Sequence, residues 1–237
     1  MTQFSKTILA TLAGALFLVA AIYTGVAVKS QTSNGQQNSD RGTTRSFTSI
    51  PGGTYAIDPG HSSINFAVRH MLINNVRGRF TDFTGAIRYD EQDATRSSVE
   101  FTARVASVNT DVARRDEHLR GADFFDAARF PEMTFKSTRI ERRDGANAYV
   151  AHGNFTLRGV TREVSIPFRI LGAVRDARGG TRIGVEAGLT INRQDYGVAW
   201  SQALDGGGLV VANDVQIDLA LEAIKRDAQP TATPNRQ

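Results

Sequence analysis

Four histidines, His61, His70, His118 and His152, are the residues best suited by type to metal binding or proton transfer. No two of them stand four apart, and the 237-residue chain has no cysteine, so neither a helical zinc motif nor a thiolate site can form. A composite site of His70 with His118 would depend on the fold bringing them together. The simpler reading puts His70 at the end of a strand's dry face and lets His118 pack or hydrogen-bond on a helix. Serines are common, yet none sits in a G-x-S-x-G turn. Carboxylates such as Glu186 and Asp218 are scattered on wet strand faces and are solvated in the simplest reading, so they make no catalytic pair. Gly78, Gly85 and Gly153 are isolated and make no phosphate loop ahead of a helix. No catalytic residue and no metal ligand is therefore expected.

The aromatic residues form a more coherent set. Phe66, Phe80, Phe101, Phe135, Phe155 and Phe168 fall on the dry faces of strand-like runs, and Phe124 and Phe125 lie in a loop. They could simply fill a core. Alternatively, small neighbours on the same faces (Ala103, Gly78, Gly153, Ala187) leave the interior incompletely filled. An eight-stranded barrel encloses room for side chains or for one ligand, but little of both. Periodicity alone leaves both readings open.

The elements that would position these residues are mostly strands. Ile64, Phe66 and Val68 alternate with polar positions, as do Val99, Phe101, Ala103 and Val105. The same period of two runs through Val164–Ile170, Ile183–Ile191 and Val215–Leu221 by number, giving each strand one dry and one wet face, the antiparallel pattern. Further runs near 54–58, 75–90, 132–142 and 147–157 bring the count to eight or more. Asp144-Gly145 and Arg158-Gly159 read as hairpin turns, and Gly85 as a bulge or barrel corner. The fold class is all-β: an antiparallel barrel of about eight strands. Residues 114–135 break the pattern. Thr110 or Asp111 is expected to cap a short helix, with Asp111–Arg115 and Asp116–Arg120 pairs along it and a left-handed Gly121 at its end. An aromatic loop and Phe130-Pro131 follow, so the barrel is expected to carry a lid.

The pI of about 9.7 suggests a nucleic-acid partner until the charge is located. Lys6, Lys29, Arg41, Arg45 and Arg236, with Asp40 and Asp227, lie outside residues 51–226, which keep 23 basic and 22 acidic residues. That near-neutral domain has no phosphate-backbone footprint. Residues 7–28 carry no charge and as a helix would span roughly 33 Å, enough for a bilayer. We expect a signal anchor over 1–28, with cleavage after Gly25-Val26-Ala27 as the alternative. Residues 29–52 read as a flexible polar linker, 53–226 as the barrel domain and 227–237 as a disordered tail.

The words of the sequence carry a resemblance. YAIDPGHSSINFAVRHM, VRGRFTDFTGAI, RDEHLRGADFFDAARFPEMTF, GNFTLRGVTREV and INRQDYGV stand in the order seen in the YceI-like family, over about residues 53–224. The match runs through Ile57-Asp58, His61-Ser62, His70, Gly78, Arg115-Asp116, Asp123, Pro131, Gly159-Val160-Thr161, Arg193 and Tyr196-Gly197, with Tyr55 where relatives have Trp. The resemblance implies an extended lipocalin-like antiparallel barrel with one helix, a long apolar tunnel holding a polyisoprenoid or similar lipid, and export to the periplasm. On that basis Phe66, Val68, His70, Phe80, Phe101, Ala103, Leu119, Phe124, Phe125, Phe135, Phe155 and Phe168 are expected to line the tunnel. Arg115, His118 and Arg193 are the head-group candidates, although Arg115 and Asp116 could equally pin the helix to the rim. The expected role is a carrier, buffer or presenter of an isoprenoid lipid or quinone-like molecule, without catalysis, cofactor or nucleic acid. It would be held on the periplasmic side of the inner membrane through residues 7–28, with a homodimer left open. The rivals are an interaction module with a packed barrel, favoured by any apolar patch at Leu72, Ile73 or Trp200, and an isoprenoid-modifying enzyme using His70 or His118.

Overall fold

The structure, a computed structural model, describes residues 49–205 and 207–226. The stretch 7–28, most of the linker and the tail lie outside the described residues. Among the described residues no helix is long and apolar enough to cross a membrane.

Eleven strands close into a ring of eight ladder positions, because three positions are each shared by two consecutive strands. β1 (Gly53–Ile57) and β2 (Ser63–His70) are separated by the 3-10 turn Pro59–His61, which Asp58 caps by accepting from the Gly60 amide at 3.0 Å. β3 (Asn74–Phe80) and β4 (Phe83–Tyr89) are parted at Thr81-Asp82, and β5 (Ser98–Arg104) and β6 (Val108–Asn109) by the turn Val105–Ser107. The other positions are unbroken: β7 (Glu132–Arg142), β8 (Ala148–Leu157), β9 (Val160–Arg175), β10 (Thr181–Asn192) and β11 (Val211–Lys225). β11 closes the ring. One edge pairs with β10, and the other with β2 through Val211–Ala220 and with β1 through Ala223–Lys225, all antiparallel. Among the described residues closure leaves no long unpaired edge, the device by which a barrel removes edges open to pairing.

The predicted run 75–90 is thus two strands. Gly85 is not a bulge, since it pairs in register with Phe101. A Cβ there would meet Ile57 Cδ1 at 2.5 Å, so the glycine serves a close approach. Arg158-Gly159 is the expected two-residue turn between Leu157 and Val160, with φ of 51° and 75°.

The helix α1 (Ala113–Arg120) differs from expectation at both ends. Its N-cap is Val112, without a side-chain bond, and Gly121 is extended (φ −70°, ψ 173°) rather than left-handed. Neither predicted i,i+4 pair forms. Asp111 instead binds Arg79 across the rim at 3.0 Å. Asp116, buried, accepts from the Thr110 amide at 2.8 Å and the Thr110 hydroxyl at 2.5 Å. Arg120 donates to the Ala106 and Val108 carbonyls. Eight mostly polar residues are too few to stay helical alone, where about 12–15 are marginal. These long-range bonds hold the helix, and they out-compete surface pairs worth only about 0.2–0.5 kcal/mol.

The antiparallel registers put the 71–73 turn, α1, the aromatic loop, Arg158-Gly159 and residues 193–210 at one end of the barrel, here the upper end. Arg158 ties three of these together by donating to the carbonyls of Gly197 and Ala122. The connections 90–97, 143–147 and 176–180 lie at the lower end.

Candidate functional site

The dry faces meet around a cavity of about 410 Å³, within the range of small-molecule sites. Its wall runs from His70, Trp200 and Val211 at the upper end to Tyr89, Ser97 and Tyr149 at the lower end. Phe66 and Val68 from β2, Phe80 from β3 and Phe101 from β5 face it, with Phe135, Phe155 and Phe168 from β7, β8 and β9. Leu119 of α1 and Phe124 and Phe125 of the loop close over it. Every residue expected in the lining borders the cavity except Ala103.

Ala103 is fully enclosed, in register between Phe83 and Met133, and belongs to the packed part of the core. Gly78 and Gly153 do not open space either. A Cβ at Gly78 would lie 2.3 Å from Phe66 Cζ, and one at Gly153 would lie 2.3 Å from Lys136 O and 2.8 Å from Phe135 Cζ. At Gly78 an aromatic ring takes the place of the missing side chain, and at Gly153 the neighbouring backbone and a ring do. The cavity wall also includes aliphatic residues of β10 and β11, such as Val185, Ala187, Leu189, Ile217 and Leu219. Their alternation marked them as dry, but they were not among the residues expected in the lining.

The three head-group candidates separate. Arg193 is 4 % exposed, and all five of its N–H groups are used. Nε reaches Ala212 O at 2.9 Å, Nη1 reaches Val198 O and Trp200 O at 2.7 Å each, and Nη2 reaches Val211 O at 3.3 Å and Asn213 Oδ1 at 3.2 Å. Burial pulls its pKa below the usual guanidinium value. It borders the cavity, but its N–H groups are spent on the backbone and Asn213 around residues 197–205 and 207–213. Arg115 is half-buried on the cavity wall and spends Nε and Nη2 on the Thr110 hydroxyl and carbonyl, at 2.7 and 2.9 Å. His118 bonds Asp123 Oδ2 through Nε2 at 3.0 Å. Its ring stands edge-on to Phe124 and Trp200, with centroids 5.0 and 5.5 Å away, and those two rings are 5.3 Å apart. An aromatic triangle with one imidazole and one guanidinium thus forms the mouth. Trp200 was outside the expected site; as the chain's one tryptophan, just past INRQDYGV, its position was the available signal.

At the lower end Tyr89 and Tyr149 face the cavity, and burial, then Tyr149, pushes the Tyr89 phenol up so that it stays neutral. No carboxylate borders the cavity among the described residues. The walls can enclose an apolar chain, with His70 and His118 the imidazoles that border it.

One polar cluster outside the barrel invites a metal reading. Asp58, His61 and Glu222 present ligand atoms within 4.8 Å of one another. Arg182 already fills the position: Nη1 is 3.0 Å from Asp58 and 2.5 Å from Glu222, and Nε is 3.0 Å from Asp176. The cluster latches the β1 end to β10 and β11. His61, then Arg182, holds Asp58 below its usual carboxylate value, and Arg182 does the same to Asp176. Depressed folded-state pKa values add stability that is present above about pH 4 and lost as pH falls through the folded values. Arg182→Gln is therefore expected to lower Tm at pH 7, where three carboxylates would face one another. It should also reverse the slope, with Tm rising toward pH 4 while the unaltered chain begins to lose stability below it. Superimposable curves of Tm against pH would remove the latch.

The YceI-like domain model matches residues 55–223. A UPF0312 protein of Shewanella sp. (strain ANA-3) is 37 % identical over 174 residues, covering 73 % of this chain and 87 % of the relative. BcnA of Burkholderia cenocepacia superposes with a TM-score of 0.62 at 25 % identity, covering 70 % of this chain and 98 % of BcnA. The Campylobacter jejuni YceI protein gives 0.59 at 28 %, covering 67 % and 90 %. A polyisoprenoid binding domain from Saccharophagus degradans has a TM-score of 0.56 at 18 % identity, covering 73 % of this chain and 98 % of that domain, a likeness of fold. By the extent of its domain match and the identity to its relatives, this chain belongs to the YceI-like family.

Proposed function

We propose that the barrel binds an isoprenoid lipid or quinone-like amphiphile, its apolar chain along the cavity and its polar end at Arg115, His118 and Trp200. The observation that carries this reading is the continuous carboxylate-free cavity from the mouth to Tyr89 and Tyr149. Magnitudes favour a long chain. Association costs about 4–15 kcal/mol, and about 100 Å² of apolar burial returns only ~2.5 kcal/mol. A ligand held without many polar contacts must therefore bury several hundred Å². The Saccharophagus domain, described as polyisoprenoid binding, supports the choice of ligand class through its shared fold. The role is that of a carrier, buffer or presenter on the periplasmic side of the inner membrane, anchored by residues 7–28 or released there if that stretch is removed. Organic extraction of the purified full chain and mass analysis of the extract test this. A stoichiometric isoprenoid or quinone mass is expected. A folded protein that comes out empty and takes up no added isoprenoid would overturn it.

A further inference from the structure

The turn between β2 and β3 is built against ordinary turn preference. Met71 and Leu72 take φ of 50° and 63°, a left-handed conformation that Gly, Asn or Asp would adopt at less cost. Met71, Leu72 and Ile73 are 43 %, 61 % and 82 % exposed, so three large apolar side chains stand in water on a strained turn. The turn is held in place. The Met71 amide donates to Val210 O at 2.9 Å and the Ile73 amide to His70 O at 3.2 Å. Leu72 Cδ1 lies against Gly208, where a Cβ would stand 3.1 Å from it. The tip is also continuous with the cavity mouth, since His70, Val76, Val210 and Val211, on either side of it, all border the cavity.

Charge completes the pattern. Arg69 and Arg77 are exposed on the outer face of the same hairpin, and neither forms an ion pair among the described residues, whereas Arg79, farther from the tip, is bound to Asp111. At about 3.3 Å per residue, Arg69 and Arg77 trail the tip by roughly 7–13 Å. That is close to the separation of the acyl boundary from lipid phosphates, where basic residues meet anionic headgroups.

We infer that the Met71-Leu72-Ile73 tip inserts into the surface of an anionic bilayer, with Arg69 and Arg77 on the phosphates. The cavity mouth is thereby set against the membrane. Three side chains on a turn fall far short of the roughly 800 Å² per partner of a stable protein interface, but apolar side chains backed by basic residues suit a bilayer surface. Docking does not depend on what the cavity holds. If the cavity carries a lipid, docking lets the chain pass between bilayer and barrel without crossing water.

The chain has no cysteine, so one introduced thiol labels one place. Full chain carrying Ile73→Cys, labelled with an environment-sensitive fluorophore, is reconstituted into phosphatidylcholine vesicles with and without one-quarter phosphatidylglycerol. Asp144→Cys in the lower turn is the control. With phosphatidylglycerol, the label at 73 should shift to the blue and be quenched by spin-labelled lipid, while the label at 144 keeps its aqueous emission. Leu72→Asn in the Ile73→Cys background should cut quenching at least five-fold without lowering Tm, because it relaxes the strained turn. Arg69→Glu with Arg77→Glu should abolish the dependence on phosphatidylglycerol. Aqueous emission at 73 in both vesicle types overturns the inference. So does a blue shift that appears without vesicles and grows with protein concentration, which assigns the tip to a second copy of the chain.

Discussion

Arg193→Met should cost on the order of 3–5 kcal/mol of stability, in the range of lost buried polar networks. For a domain of this size that lowers Tm by roughly 6–15 °C. The side chain is similar in length and apolar, so little packing volume is lost. What is lost is the common donor for four backbone carbonyls, those of Val198, Trp200, Val211 and Ala212. Each becomes a polar group without its partner in a region where Val198 is buried. Arg193→Lys should recover only part of the loss, because an ammonium has three donors on one nitrogen and cannot span acceptors set around a planar fork. The second readout is Trp200 fluorescence. Its backbone carbonyl is one of the acceptors, so the emission should broaden and move toward that of a solvated indole before global unfolding. Wild-type Tm and emission in Arg193→Met would return the residue to the list of ligand donors.

That residue shows where sequence reasoning stops. An arginine in a motif at a barrel rim is chemically suited to a lipid head group. Whether its five N–H groups are free depends on how residues 197–213 fold back over it, and no local pattern encodes that return. The helix teaches the same lesson. Asp111 and Asp116 stand at helical pairing distance from Arg115 and Arg120, but Arg79, from a distant strand, takes Asp111, and Thr110, just before the helix, takes Asp116.

The strands were legible because period-2 alternation is a consequence of pleating and survives any tertiary arrangement. The break at Thr81-Asp82 was missed, although the inward set changes parity there, from Val76 and Phe80 to Phe83 and Ile87. The direction of each lining residue followed from the alternation. Which of them enclose free space depended on the ring having eight positions and on Phe66 and Phe135 lying over Gly78 and Gly153. Ala103 and Ala187 are both small and on dry faces, but only Ala187 borders the cavity, because Ala103 is enclosed between Phe83 and Met133.

Ala187→Phe should abolish uptake of an isoprenoid chain, lowering affinity at least 100-fold, while leaving the fold as stable as before to within about 1 kcal/mol. Ala187 lies in register between Phe168 of β9 and Leu219 of β11, and all three border the cavity. Ladders on both sides hold its Cα in place, so a ring added there cannot swing outward and must occupy the volume a ligand chain would use. In a filled interior the same change would overpack the core at about 1–3 kcal/mol. A neutral stability effect is therefore itself a test of the free space. Ala103→Phe is the matched control, equally small-to-large and also on an inward face. It meets Phe83 and Met133 with no free volume, so it should destabilise by at least that amount, and a ligand should still enter whatever fraction remains folded. Isoprenoid uptake by Ala187→Phe at the unaltered affinity would show that the ligand, if any, does not pass this level of the barrel. Equal destabilisation by both variants would show that the interior is packed, and would favour the barrel as an interaction module.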